Sequence, residues 1–296
     1  MELVSIIMPT YKNDGIALKR ALYSLINQTY QNWELILIDD NSDPLYSSII
    51  LKIISNFDDD RIHYYKNTKN LGSAKSRNIG IKKSSGTYIS FLDDDDEYLE
   101  TKLEKQITLM KQQNSDFSIM DLNLYDDAGN LIRKRRHRYL KQIKCNQDLL
   151  IAHLKYHLTG TDTFMYKRSF LFDIGLFDEI DLGDEFYLML KSILKDGKLA
   201  YLSEPLVKAY VHASGIGLTA GSNKEHGEYS LYEKKKQFFH LMRKEDIKYI
   251  SMRHYLVLLS CNLRQKKYIT GLLNCIKAFT ANPSGFIQFS LNRKEY

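Results

Sequence analysis

Cysteine is scarce. Cys145, Cys261 and Cys275 are the three in 296 residues, and no CxxC pair or metal-ligand spacing joins them. So sparse and odd a set argues against a disulfide framework and fits a reducing compartment. Long apolar runs are missing too: no stretch approaches the roughly 18–20 apolar residues that span a bilayer. The run at Leu3–Met8 is too short for a signal peptide and has no basic leader, so the expected location is the cytoplasm. There is no Walker loop, GxSxG elbow, HExxH or paired CxxC. Gly215–Gly221 comes near the dinucleotide fingerprint GxGxxG, but its last spacing is one residue too long and no acidic strand end follows. It reads as a hinge or lid.

What is present is ordinary in bulk and uneven in charge. Hydrophobic residues make up 44% and charged ones 26%, the balance of a folded chain rather than a disordered one. The net charge of +6 sits at one end: residues 223–296 hold 14 Lys/Arg against 6 Asp/Glu, which leaves the first 222 with a net −2. A near-neutral body with a basic tail expects an anionic neighbour, either membrane headgroups or nucleic acid. Within the tail, Ile269, Leu272, Leu273, Ile276 and Phe279 form one apolar stripe at helical spacing, near Lys266, Lys267 and Lys277. The favoured reading packs this stripe against the catalytic domain. The alternative lays it on the inner membrane leaflet, where each basic residue gains about 1 kcal/mol.

Along the first half, element types alternate. Leu3–Met8, Glu34–Ile38, Ile62–Tyr65 and Thr87–Leu92 read as strands, and Ile16–Ile26, Leu45–Phe57 and Ser73–Lys83 as helices. Such alternation implies an α/β fold with a mainly parallel sheet covered on both faces, and ligands bind beyond the carboxyl ends of its strands. Those ends carry Pro9-Thr10-Tyr11, Asp39-Asp40 and Asp93–Asp96. Further on, Asp116–Tyr125 and Asn130–Arg138 suggest a hairpin, Thr161–Tyr166 and Leu206–Val211 strands, and Asp184–Leu194 a helix. From about Lys224 the chain reads as helical to Ala281. The implied division is 1–222, with halves 1–110 and 111–222, followed by a basic helical region at 223–296.

The run Asp93-Asp94-Asp95-Asp96 is the strongest chemical signal. Four adjacent carboxylates at the end of a buried strand repel one another and call for a cation. Mg²⁺ or Mn²⁺ suits such oxygen ligands and commonly bridges to substrate phosphates. The competing reading is an acidic start to the helix near Tyr98–Gln113, where carboxylates favour the N-terminus.

Four segments in order now resemble one family. Val4–Tyr11 (Val-Ser-Ile-Ile-Met-Pro-Thr-Tyr) looks like the opening strand of family-two glycosyltransferases with the A-type fold. Glu34–Ser42 resembles their second strand, Asn70–Gly80 their third motif, and Phe91–Asp96 their DXD segment. The match is clear from Leu3 to about Lys105 and weaker to about Gly221. It implies a Rossmann-like nucleotide-binding fold with a helical C-terminal extension, and an inverting transfer of a hexose or N-acetylhexosamine from a UDP-sugar to a glycan or lipid-linked glycan. Under this resemblance Tyr11 packs on uracil, Pro9 and Thr10 shape the turn, and Asp40 accepts from the base. Asn70 and Arg77 hold the nucleotide, the guanidinium by forked bonds. Asp95 binds the metal directly, with Asp93 and Asp94 serving the ribose or the metal's water shell.

Inversion also needs a base to take the acceptor proton. Leu182–Lys191 looks like the family's Gly-Glu-Asp segment. It places Glu185 where the family has its catalytic Asp, which is a departure and leaves Asp184 a rival. His212 stands where family members carry a further metal or diphosphate contact. Arg133–Arg138 offers a grip for an anionic acceptor or a solvated strand face. Two other classes stay open: a nucleotidyltransferase, which shares the sheet edge but has a Gly-rich N-terminal phosphate loop, and a non-enzymatic nucleic-acid or membrane-binding protein. Under the leading reading no nucleic acid is expected as a partner.

Overall fold

The computed structural model describes residues 2–180, 182–211 and 222–291. They gather into two compact units, Met1–Gln142 with Thr159–Val211, and Ile143–Leu158 with His212–Tyr296. The expected boundary near 222 therefore misses one excursion: residues 143–158, read from sequence as part of the first region, belong with the C-terminal helices.

The first unit holds strands β1 (Val4–Thr10), β2 (Trp33–Asp39), β3 (Ile62–Lys66), β4 (Tyr88–Phe91), β5 (Glu97–Tyr98), β6 (Phe117–Met120), β7 (Leu122–Tyr125), β8 (Leu131–Arg135), β9 (Met165–Lys167), β10 (Leu199–Leu202) and β11 (Val207–Tyr210). Among the described residues they form a seven-stranded sheet ordered β10-β6-β9-β4-β1-β2-β3 and a four-stranded sheet ordered β5-β11-β7-β8. The large sheet is parallel except for β9, which runs antiparallel between β4 and β6. Its centre is mainly apolar: Val4, Ile6, Ile7, Met8, Leu35, Leu37 and Ile38 are completely buried, as befits strands covered on both faces.

Helices α1 (Ile16–Ile26), α2 (Pro44–Ser55), α3 (Ser73–Lys83) and α4 (Lys102–Gln113) alternate with the early strands. A Cβ at Gly80 of α3 would meet Ile7 Cγ2 at 2.5 Å, so this glycine sets how closely α3 lies on the sheet. Two expectations change. The expected hairpin forms, β7 pairing antiparallel with β8, but Asp116–Tyr125 is not a single strand of it, because the chain breaks at buried Asp121 and passes from the large sheet to the small one. That carboxylate cannot sit unpaired in a core and accepts from the His137 N–H at 3.0 Å and the Tyr201 hydroxyl at 2.6 Å. Thr161–Tyr166 begins as a 3-10 turn, Thr161–Thr163, after Gly160 at φ 119, and only its end joins the sheet as β9.

α5 (Asn146–Tyr156) lies in the second unit, α6 (Arg168–Asp173) and α7 (Asp184–Leu194) in the first, and α8 (Ser222–Lys236), α9 (Lys244–Arg264), α10 (Tyr268–Ala281) and α11 (Pro283–Leu291) complete the second. α5 packs on α9: Lys155 Nζ meets Asp246 Oδ1 at 2.6 Å, and the rings of Tyr156 and Tyr249 lie 5.6 Å apart. Between α8 and α9, Glu228 pairs with buried His254 at 2.9 Å, and Tyr232 stacks on that imidazole at 4.0 Å. The α10 stripe does not turn toward α9. Ile269, Leu272, Leu273, Ile276 and Phe279 are exposed, and the face pressed on α9 carries Gly271, Asn274 and Ala278. Small residues allow close approach, and Asn274 Nδ2 donates to Asn262 Oδ1 at 2.8 Å.

Candidate active site

β4, β1 and β2 are adjacent and parallel, so their carboxyl ends open on one edge of the sheet. There the first polar cluster is tied to the third: Thr10 Oγ1 donates to Asp94 Oδ2 at 2.5 Å and Asn13 Nδ2 to the Asp94 carbonyl at 3.1 Å. Burial and neighbouring Asp95 push the Asp94 carboxyl up to about 7, against the pull of those donors. Arg20 donates to the Asp95 carbonyl at 2.5 Å, pairs with Glu97 at 3.1 Å and lies over the Tyr210 ring at 3.7 Å.

The end of β2 organises the two loops beside it. Asp39 is wholly buried; although burial opposes its charge, hydroxyl and amide donors, including Tyr64 at 2.7 Å and Asn41, hold its pKa below the ordinary value. Asn41 Oδ1 in turn accepts the Lys12 N–H at 2.6 Å. Asp40 accepts from Asn67 Nδ2 and the Leu71 N–H, both at 2.8 Å, and from the Gly72 N–H at 2.9 Å. Gly72, at φ 85, then starts α3. Tyr11 stands half exposed at this edge, with the Lys12 ammonium 5.3 Å from its ring.

α3 delivers Arg77 into the centre of the site. Its buried guanidinium forks, Nη2 to Asp93 Oδ1 at 2.7 Å and Nη1 to Asp184 Oδ2 at 3.0 Å. Burial works against this cation, but the two carboxylates prevail and hold its pKa above the usual value. Asp184 opens α7 and is pushed up to about 6 by burial, with Arg77 opposing and Glu185 adding. Glu185 accepts from the Gly160 N–H at 2.8 Å and from the Thr161 hydroxyl. Those two bonds secure the turn that carries Asp162, whose Oδ1 accepts the Asp93 N–H at 2.6 Å.

Asp93, Asp96 and Asp162 bring oxygen atoms within 4.8 Å of one another. Burial, then the charge of Asp93, pushes Asp162 up to about 8, and burial with Asp162 lifts Asp96 well above the carboxylate range. Beneath them, Lys102 is completely buried, bonded to Ser90 Oγ and 4.0 Å from the Tyr98 ring centre, and burial depresses its pKa.

The profile of glycosyl transferase family 2 matches residues 5–175, more than half of the chain and every strand of this edge. The chain belongs to that family. A Haemophilus influenzae protein described as an uncharacterized glycosyltransferase is 40% identical over 228 residues, 76% of this chain and 84% of its own length. The UDP-Glc:alpha-D-GlcNAc-diphosphoundecaprenol beta-1,3-glucosyltransferase WfgD of Escherichia coli is 30% identical over 227 residues, 75% of this chain and 82% of that protein. In fold, the chain resembles S. aureus TarS 1–349 crystallised with UDP-GlcNAc, with a TM-score of 0.57 at 17% identity over 99% of this chain and 76% of that one. The nucleotidyltransferase and non-enzymatic readings are thereby set aside.

In this glycosyltransferase Thr10 bonds Asp94, Arg77 bonds both Asp93 and Asp184, and Asp40 bonds the Gly72 N–H, with Glu185 next to Asp184 and half-buried Pro9 within β1. Asn70 is exposed and is held through its backbone N–H to Ser42 Oγ at 3.2 Å. Asp95 is partly buried and is not one of the three clustered carboxylates. His212 and the Gly215–Gly221 segment lie outside the described residues. Nothing in the sequence marks Asp162, an aspartate between two threonines that reaches the site only when its turn folds back on Asp93.

The basic run divides. Arg133 and Lys134 are exposed on β8, whereas Arg135 donates to the Thr159 carbonyl at 3.1 Å and Arg136 to Asn123 Oδ1 at 2.9 Å. His137 is buried behind them, and burial, then Arg135, lowers its pKa to about 4. An imidazole that stays neutral when folded favours the native state above its unfolded pKa near 6.5, and that advantage is lost as pH falls toward 4. Between pH 7 and pH 4, urea unfolding should show the wild type losing about 3 kcal/mol more than His137→Gln. Parallel pH curves for the two proteins would exclude this role.

Proposed function

We propose that this enzyme transfers a hexose or N-acetylhexosamine from a UDP-sugar, with inversion, to a glycan carried on a lipid, in the cytoplasm. The observation that carries the reading is Arg77, which joins the acidic strand end of the nucleotide edge to Asp184, the carboxylate that opens α7. The half-exposed Tyr11 ring and the loop held by Asp40 give a uridine a surface to stack on and a rim to bond to. The names of WfgD and of the TarS complex support a UDP-sugar donor, and that of WfgD a lipid-linked acceptor.

A divalent ion fits the residues present: crowded, largely buried carboxylate oxygens are the donors that Mg²⁺ or Mn²⁺ takes. Asp93 of that cluster would hold it, joined by Asp95 as the family resemblance implies, with the Asp96–Asp162 pair bracing the strand end. When bound, such an ion neutralises charge gathering on the departing diphosphate.

Glu185 takes the acceptor proton in this scheme, and Asp184 positions. Protonating Asp184 would break its ion pair with Arg77. The partners of Glu185 are a backbone N–H and a hydroxyl, and a hydroxyl can rotate from donor to acceptor when the carboxylate gains a proton.

A panel of UDP-sugars with Mn²⁺, followed for slow UDP release without acceptor, tests the donor. One sugar should stand out, and chelator should weaken UDP binding at least tenfold, as should Asp95→Asn. Uniform release across the panel, with UDP affinity unmoved by chelator, would remove both the donor and the metal from the mechanism.

A further inference from the structure

We propose that the second unit docks on an anionic lipid bilayer through the outward face of α10 and α11. This goes beyond the transferase reading and does not depend on the donor or acceptor assigned above.

The amphipathicity of α10 is inverted. A helix in a water-soluble hairpin turns its large apolar side chains to its neighbour. α10 instead gives α9 its small residues, Gly271, Asn274 and Ala278, and leaves Ile269 82%, Leu272 62%, Leu273 52% and Ile276 52% exposed. α11, the next helix, also leaves Ile287 52% and Leu291 80% exposed. An α10 face with this many large exposed apolar side chains marks an interaction site.

Charge decides what covers it. Residues 247–294 contain eight Lys/Arg and no Asp or Glu. Lys266 and Lys277 are exposed on α10 or at its start, and Lys267 beside them lies 4.0 Å from Glu225 of α8. Two copies meeting on this face would bring Lys266 and Lys277 toward their counterparts, which repel. A nucleic acid would use the lysines and leave the isoleucines and leucines in water. An anionic bilayer satisfies both sets, because apolar side chains enter the headgroup boundary while lysines meet lipid phosphates. No described helix is long and apolar enough to cross a membrane, so the contact is peripheral.

Co-sedimentation of the full-length protein with vesicles of phosphatidylglycerol and phosphatidylcholine, against pure phosphatidylcholine, is the test. Binding is expected to the anionic vesicles and to weaken with salt. Lys266→Gln with Lys277→Gln should lower partition roughly 25-fold, about fivefold per lysine. Leu272→Ser with Ile276→Ser should lower it at least tenfold without lowering the melting temperature, because both side chains already face outward. Slow UDP release measured without vesicles should be unchanged in every variant, which separates this surface from the donor chemistry. Equal binding to neutral vesicles, or wild-type binding by the serine variant, overturns the proposal. So does a wild-type dimer that the serine variant converts to monomer, since a second copy would then cover the face.

Discussion

Glu185→Gln should lower kcat at least a hundredfold while leaving UDP affinity within twofold of wild type. Loss of a general base ordinarily removes a factor of about 10²–10⁴, and glutamine keeps the size and the acceptor oxygen of glutamate. The bonds from the Gly160 N–H and the Thr161 hydroxyl can therefore survive in part, so the fold should be retained. Asp184→Asn is the informative companion. If Asp184 positions, its loss weakens the hold on Arg77 and lowers kcat less than Glu185→Gln does. A wild-type kcat in Glu185→Gln, with collapse in Asp184→Asn, would exchange the two roles. Stopped assays with the preferred donor and circular dichroism on both variants settle which outcome holds.

Arg77→Met should cost about 3 kcal/mol of stability and most of the activity. Breaking a buried ion pair by removing one partner typically costs about 3–5 kcal/mol, because the other charge is left uncompensated. Here two carboxylates are left, but the Asp93 side chain is about a third exposed and water relieves part of its cost, which favours the lower end. Asp184, only 13% exposed, has no such relief. Adding Asp184→Asn to Arg77→Met should then recover stability relative to the single variant, since the stranded charge is gone. Urea unfolding of the two singles and the double checks the sign. A loss below about 1 kcal/mol in Arg77→Met would show that the pair does not hold the site together.

The nucleotide edge was legible because its signals are local. An apolar β-branched run ending in Asp39-Asp40 announces both a strand and the polar group at its carboxyl end, and the same holds for Phe91–Asp96. α3 and α7 begin at Ser73 and Asp184, where the spacing and the acidic first turn put them. The rest depends on partners distant in sequence. β9 runs antiparallel because a turn at Gly160–Thr163 redirects it, and no periodicity within five residues reports direction. Asp121 splits one apolar run between two sheets, a fact visible only once Tyr201 and His137 arrive to bond it. The stripe on α10 shows which residues share a face, but periodicity cannot say whether that face points inward. Asp162 combines all these difficulties: its neighbours in the chain are unremarkable, and its neighbours in space come from Asp93 and Asp96.

One consequence follows from the way the second unit is stitched together. α5 leaves the chain between β8 and β9, joins helices that begin more than sixty residues later, and the polypeptide then returns to the sheet. Shortening the protein at residue 222 would take away α9, on which Lys155 and Tyr156 of α5 rest, and leave that apolar helix without its partner. During synthesis that helix must wait, uncovered, until α9 has left the ribosome. The tail is thus a late-arriving cover rather than an appendage, and a nascent chain halted before it would be a natural client for chaperones.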